Sequence, residues 1–303
     1  MPSWLIWTFS ALISWGLWAV LSKLLGDTLS AEQSQMLSTL GMLPMIVPLA
    51  LSRHMDLRTA SRKGMLLALL GGLVTCFGNV AYYSALARGG KVATIVSLSA
   101  LYPLVTILLA VLLLRERLNR IQIAGVAVSL IAIWLFNVQS DGGLVSRTIV
   151  YAILPIVFWG LSGFLQKVAT NHLSAEAAGL VYLGAFVPVA IFYAMREPWP
   201  SFVTPRSWAL VLALGFFLAF GNFAIIAAFA RGGKAAVIMP LGSLYPIISV
   251  PIAVLFLGES VGTREIAGIG CALVSVAALS CESASPPPQV SPRETEKEHA
   301  ITG

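Results

Sequence analysis

The sequence predicts an all-α integral membrane protein of ten transmembrane helices, arranged as two inverted five-helix repeats, and three observations carry that prediction. Hydrophobic residues make up 58% of the 303 and charged residues only 11%, against roughly a quarter charged in soluble domains. Apolar runs of about twenty residues recur almost end to end, the length that crosses a bilayer as a helix. Finally, ARGGKVATIVSLSALYP at 87–103 returns as ARGGKAAVIMPLGSLYP at 230–246, with eleven of seventeen positions identical at an offset of 143.

The first five spans are expected over 3–25, 32–52, 64–87, 91–114 and 119–138, and the second five over 148–170, 174–195, 207–230, 234–257 and 262–281. The first has no basic residues before Trp4 and no small-x-small cleavage site, so it reads as a retained span and not as a signal peptide. Short connections make consecutive spans antiparallel neighbours. The repeat extends beyond the opening match: SWGLWAVLSK at 14–23 pairs with FWGLSGFLQK at 158–167, Gly78-Asn79 with Gly221-Asn222, Glu116 with Glu259, and IAG at 123–125 with IAG at 266–268. Two units follow, 1–140 and 145–281, with a proline-led polar tail over 282–303 that is expected to be disordered.

An odd number of spans per unit decides the topology. The second unit re-crosses the membrane upside down, related to the first by a pseudo-twofold axis in the membrane plane. The two ARGGK hairpins then lie at opposite faces. With both termini cytoplasmic, twelve of the nineteen lysines and arginines fall on the inner side, the bias that sets orientation. The net charge of +6 resides in these loops and points to headgroups, not to nucleic acid. Cys76, Cys271 and Cys281 lack metal-ligand spacing and read as buried small residues, so neither a metal nor another cofactor is expected.

Polar and aromatic side chains inside apolar spans mark the walls of a substrate pathway. In the first unit these are Trp15, Trp18, Asn79, Tyr82, Tyr83, Ser99 and Tyr102. In the second they are Trp159, Ser162, Gln166, Asn222, Ser243 and Tyr245. Ile225-Ile226 stands where the first unit has Tyr82-Tyr83, so one wall is expected to be aromatic and the other greasy. Pro103 and Pro246, with Pro240 in the second unit alone, are expected to kink or hinge their spans.

Lys23 and Lys167 close spans 1 and 6, while Lys91 and Lys234 open spans 4 and 9. Each either snorkels to the headgroups or contributes to a gate. Lys91 and Lys234 carry a further alternative, greeting an anionic group beside free helix N–H groups. Gly89-Gly90 and Gly232-Gly233 read as helix ends, and Arg115 and Arg117 as local partners for Glu116. Gly125 with Ser129, and Gly268 with Ala272, have the small-xxx-small spacing of close helix packing, which suits contact between protomers of a homodimer.

The doubled unit, the WG followed by a lysine in spans 1 and 6, the LYP in spans 4 and 9 and the Glu116 and Glu259 that close them resemble the drug/metabolite transporter superfamily, and within it the EamA-type proteins. The resemblance covers nearly all of 4–281. It implies a ten-helix, multi-pass secondary transporter of the bacterial inner membrane that moves small metabolites or drugs, often outward. It names no single substrate.

Span interiors carry no Asp, Glu or His, unlike the small multidrug pumps that rely on a glutamate in their first span. This disfavours both proton coupling through a buried carboxylate and recognition of a permanent cation, and favours a facilitator or exchanger for a neutral or zwitterionic solute. Anionic metabolites held by the span-end lysines form the alternative. An enzyme would need an acid, base or metal cluster of workable spacing, and none is visible. A non-transporting scaffold would need the span-centre polar residues to face lipid or to pack dry.

Overall fold

The computed structural model of the chain describes residues 2–26, 28–52, 60–114, 118–137, 147–200 and 204–281. Every regular element among them is an α-helix: α1 (Ser3–Gly26), α2 (Ala31–Gly41), α3 (Leu43–Ala50), α4 (Arg62–Ala87), α5 (Val92–Ser99), α6 (Pro103–Leu114), α7 (Arg120–Asn137), α8 (Arg147–Ala169), α9 (Ala175–Gly184), α10 (Phe186–Ala194), α11 (Pro205–Ala230), α12 (Ala235–Gly242), α13 (Pro246–Phe256) and α14 (Thr263–Ser280). Seven stretches are long and apolar enough to cross a membrane: α1, α4, α11, most of α8, and the pairs α5–α6, α9–α10 and α12–α13. The α2–α3 pair, α7 and α14 fall outside that set.

Four expected spans are thus broken into half-helices, and the breaks repeat between the units. Pro103 and Pro246 do not kink a continuous helix. They stand at the first position of α6 and α13, where a missing N–H costs nothing. Between α5 and α6, the N–H groups of Ala100, Leu101 and Tyr102 still find carbonyls at Val96, Leu98 and Ser99, so the break strands no donor in the apolar interior. Pro240 lies inside α12, and its carbonyl accepts a 2.9 Å hydrogen bond from Ser243 Oγ. The breaks at Met42 and Ala185 were not expected.

The two units pack by one scheme applied twice. Helix α1 lies along α11, and α8 along α4; α11 crosses α2 as α4 crosses α9. The crossings meet at glycine. A side chain at Gly215 would overlap the Ser38 carbonyl and Gly41, and one at Gly72 would overlap the Tyr182 carbonyl and Ala185.

Helix α8 shows where the two hairpins lie. Near its start, the Arg88 guanidinium sits 4.4 Å from the centre of the Tyr151 ring; near its end, Lys167 Nζ donates to the Gly233 carbonyl at 3.3 Å. Tyr151 and Lys167 are separated by about 24 Å of helix, so the ARGGK hairpins occupy opposite ends of the fold. Gly89 and Gly232, at φ +83° and +85°, make the two turns that only glycine adopts freely.

Helices α7 and α14 pack on each other at the periphery. Gly125 faces Ala278 and Leu279, Ser275 Oγ donates to the Gly125 carbonyl at 2.8 Å, and Ser129, Gly268 and Ala272 are buried. The small-residue stripes are therefore consumed inside the chain and are not free for a second protomer. Cys76 is buried, but Cys271 is only half-buried and Cys281 exposed, which corrects the expectation that all three are core residues. Leu112, Leu113, Leu255 and Phe256 stand largely exposed, as side chains facing lipid do.

Candidate functional site

The half-helices α5–α6 and α12–α13 cross near the middle of the fold, where α5 packs on α13 and α12 on α6. Beside this crossing lies a cavity with about 410 Å³ of space free of protein atoms, its open mouth included. Helix α1 contributes Trp15 and Trp18, α8 contributes Trp159 and Gln166, and the two breaks contribute Tyr102 and Tyr245. Asn79 and Thr75 come from α4, Asn222 and Leu218 from α11, and Met239 from α12. Among the described residues, no charged side chain lines it.

Two indoles are seated identically. Trp159 lies against Gly78 and Trp15 against Gly221, so close that a Cβ at either glycine would come within 2.6 Å of the ring. The absence of a side chain at Gly78 is what lets the Trp159 indole rest beside Asn79. Trp159 Nε1 donates to Asn79 Oδ1 at 3.1 Å. The two tyrosines also match: Tyr102 aims its hydroxyl at the Met239 carbonyl and Tyr245 aims its own at the equivalent Val96 carbonyl. Their rings stand edge-on to the indoles, Trp15 with both and Trp159 with Tyr102.

Five of the expected pathway residues stand behind this wall. Tyr82 stacks on Trp18 at 4.8 Å, and Tyr83 accepts a 3.1 Å hydrogen bond from Trp18 Nε1. Ser99 bonds the Tyr245 hydroxyl at 3.0 Å. Ser162 donates to the Gly71 carbonyl at 2.9 Å, and Ser243 is tied to Pro240 as described. Tyr82 and Tyr83 thus back the aromatic wall and do not form it. Along α4 and α8 runs a polar chain: Thr75 donates to Ser162 at 2.7 Å, Tyr182 lies 2.6 Å from Thr75, and Gln166 Nε2 donates to Ser162 at 3.2 Å. Ile225 and Ile226 are buried, and Ile225 approaches Gly242.

Thr75, Tyr182, Leu218 and Met239 were missed. Mid-helix threonine is unremarkable in an apolar span, where it bonds to the preceding turn, and Leu218 and Met239 carry no polar signal. Tyr182 was open to detection, as a tyrosine buried at the centre of span 7.

The lysines sit at the rims. Lys91 donates to both oxygens of Glu265, at 2.8 and 3.1 Å, and Thr94 Oγ1 donates to Glu265 at 2.9 Å. The free N–H groups at the start of α5 are not free at all: Glu259 accepts from Val92 N at 2.7 Å and Ala93 N at 3.0 Å. The carboxylates at this mouth are the protein's own, and Lys91 is paired with one of them. Lys167 holds the second hairpin through Gly233. Lys23 stands in the last turn of α1 and Lys234 at the cap of α12. Glu116, Arg115 and Arg117 lie outside the described residues.

A bilayer-spanning helical fold made of two like units, with an uncharged aromatic and amide cavity at their crossing, defines a membrane transporter. The chain belongs to the EamA-like transporter family, whose profile matches residues 2–138 and again 146–281. A solved structure titled only "Crystal structure of protein" is similar over 94% of this chain and 99% of its own, with 19% identity and a TM-score of 0.66, a likeness of fold alone. Comparison with curated proteins gives no match.

Proposed function

We propose that the chain is a ten-span secondary transporter of small neutral or weakly amphipathic metabolites, working as an exporter or facilitator of the bacterial inner membrane with both termini cytoplasmic. The cavity is its substrate site, reached alternately from the two sides. The observation that carries this reading is the cavity itself. It lies where the inverted units cross, its walls come from both, and three buried amide groups on it, Asn79, Gln166 and Asn222, each keep one end without a partner. Buried polar groups of a finished core are mostly paired; unlike the unpartnered atoms of Gln35, Tyr82 and Ser97, these three face a cavity where a partner arrives and leaves. A dry-packed scaffold would have no use for them.

The absence of charge in the wall sets the solute class. An ion stripped of water there would find no counter-charge, so the rim lysines steer or tie and do not bind. The half-helices supply the moving parts. Glu259, Glu265 and Lys91 join α5 of one unit to α14 and the connection before it in the other, and separating these contacts opens that end.

Purified protein in liposomes tests the reading with a panel of amino acids, amides, sugars and organic cations. Uptake or efflux of an uncharged or zwitterionic ring-bearing solute above empty vesicles is expected, with orientation read from a thiol placed near Ser291. Flux of organic anions alone, abolished in Lys91→Ala, would favour the anionic alternative, and no flux of any solute would refute transport.

A further inference from the structure

We propose that the cavity takes an uncharged aromatic amide or lactam, donating to its carbonyl from Asn79 and accepting its N–H groups at Gln166 and Asn222; the proposal rests on the transporter reading above. The assignment follows from the protons in the hydrogen bonds behind the wall. The Gly71 carbonyl only accepts, so Ser162 gives it its single proton at 2.9 Å. Ser162 then accepts from Thr75 at 2.7 Å and from Gln166 Nε2 at 3.2 Å, which fills both lone pairs of the hydroxyl. Thr75 has used its own proton, so the 2.6 Å contact with Tyr182 has Tyr182 as donor.

Tyr182 is left with no proton for Asn222 Oδ1, which is placed 3.4 Å away with Nδ2 unpartnered. The two ends of an amide are alike in shape and are told apart by their partners. The proton count therefore exchanges the two ends of Asn222, turning Nδ2 toward Tyr182 and leaving the oxygen at the unpartnered end. Asn79 is fixed the other way. Trp159 Nε1 can only donate, so it holds Asn79 Oδ1 at 3.1 Å and leaves Nδ2 without a partner. Gln166, with Nε2 committed to Ser162, adds Oε1 as a second unpartnered acceptor. The two asparagines occupy equivalent places in the repeats and present opposite faces to the cavity.

All three amides are at least nine-tenths buried, at 1%, 6% and 4% exposure for Asn79, Gln166 and Asn222. One donor and two acceptors complement one carbonyl and two N–H bonds, which is a primary carboxamide or an amino-substituted lactam. The indoles of Trp15, Trp18 and Trp159 supply faces for a ring, and the uncharged wall offers no counter-charge to a net anion or a fixed cation.

The test compares ligands on one purified protein by calorimetry. Benzamide carries the ring, the carbonyl and two N–H bonds; N,N-dimethylbenzamide keeps the first two and loses the donors. Benzamide is expected to bind about tenfold more tightly, the effect of buried acceptors left unpaired, and benzoate more weakly than benzamide. With Gln166→Leu and Asn222→Leu combined, the two amides should bind within about twofold of each other. Asn79→Leu should weaken both and keep their ratio. Tyr182→Phe stands outside the cavity wall and is expected to reduce the ratio by releasing Asn222 to turn, which a merely structural role would not do. Equal binding of the two amides to the unaltered protein overturns the proposal, as does a ratio that survives loss of Gln166 and Asn222. If no amide binds while other solutes cross the vesicle membrane, the amide assignment fails and transport stands; if nothing crosses, the transporter reading itself fails.

Discussion

Valine at Gly78 is expected to abolish transport while the chain still reaches the membrane. A Cβ there would lie 2.5 Å from both Cδ1 and Nε1 of Trp159, well inside contact distance. The indole cannot give way toward α4, so it must swing into the cavity and abandon Asn79. Overpacking of this kind costs about 1–3 kcal/mol, and the lost indole hydrogen bond about 1 kcal/mol more. Function suffers beyond stability, because the displaced ring fills the space a solute needs. Gly221→Val should act in the same way through Trp15. Gly184→Ala is the control, since a Cβ there meets nothing within 4 Å. Flux should fall at least about tenfold in the first two variants, a barrier change of about 1.4 kcal/mol or more, and hardly change in the third. Normal flux with valine at both seats would mean that the indoles do not line the route.

The second large effect is expected at Glu259. Its carboxylate receives two backbone N–H bonds from α5, a helix of only eight residues. Glutamine keeps one acceptor oxygen and turns an NH₂ group toward the other N–H, so one bond is replaced by repulsion. Alanine removes both. Hydrogen bonds to a charged group contribute about 1.5–3 kcal/mol, so a drop of several degrees in thermal midpoint is expected for Glu259→Ala. Lys91→Gln should be far milder. Lys91 and Glu265 are 42% and 26% exposed along their side chains, and such pairs contribute about 0–1 kcal/mol. Thermal unfolding in detergent separates the two; a larger loss for Lys91→Gln would show that the ion pair, not the cap, holds α5.

The repeat was legible because it is written in residues with no packing alternative: glycines that turn the chain, prolines, and WG and LYP clusters deep in apolar runs. Trp15, Asn79, Tyr102 and their partners stood out because polar atoms in a span interior need a reason. What escaped was geometry between the units. Glu259 caps a helix that begins 167 residues earlier, a pairing that no local spacing announces. The half-helix break at Met42 is marked only by Pro44, two residues on, and the matching break at Ala185 by Pro188. Neither proline was read as a break, because a single proline in an apolar span is equally compatible with a kinked continuous helix. The hydroxyl chain through Thr75 was hidden because threonine satisfies itself in a helix, and only the fold brings Tyr182 and Ser162 to it.

The central claim is that one cavity at the crossing of two inverted units is reached from both sides of the membrane. The direct measurement places a thiol on its wall, as Met239→Cys in a protein with Cys76, Cys271 and Cys281 replaced, reconstituted in liposomes. A membrane-impermeant thiol reagent is then applied from outside or trapped inside, with and without a transported solute. The account predicts labelling from either side, with the solute slowing both. Labelling from one side only under every condition, or labelling that no transported solute slows, would contradict it.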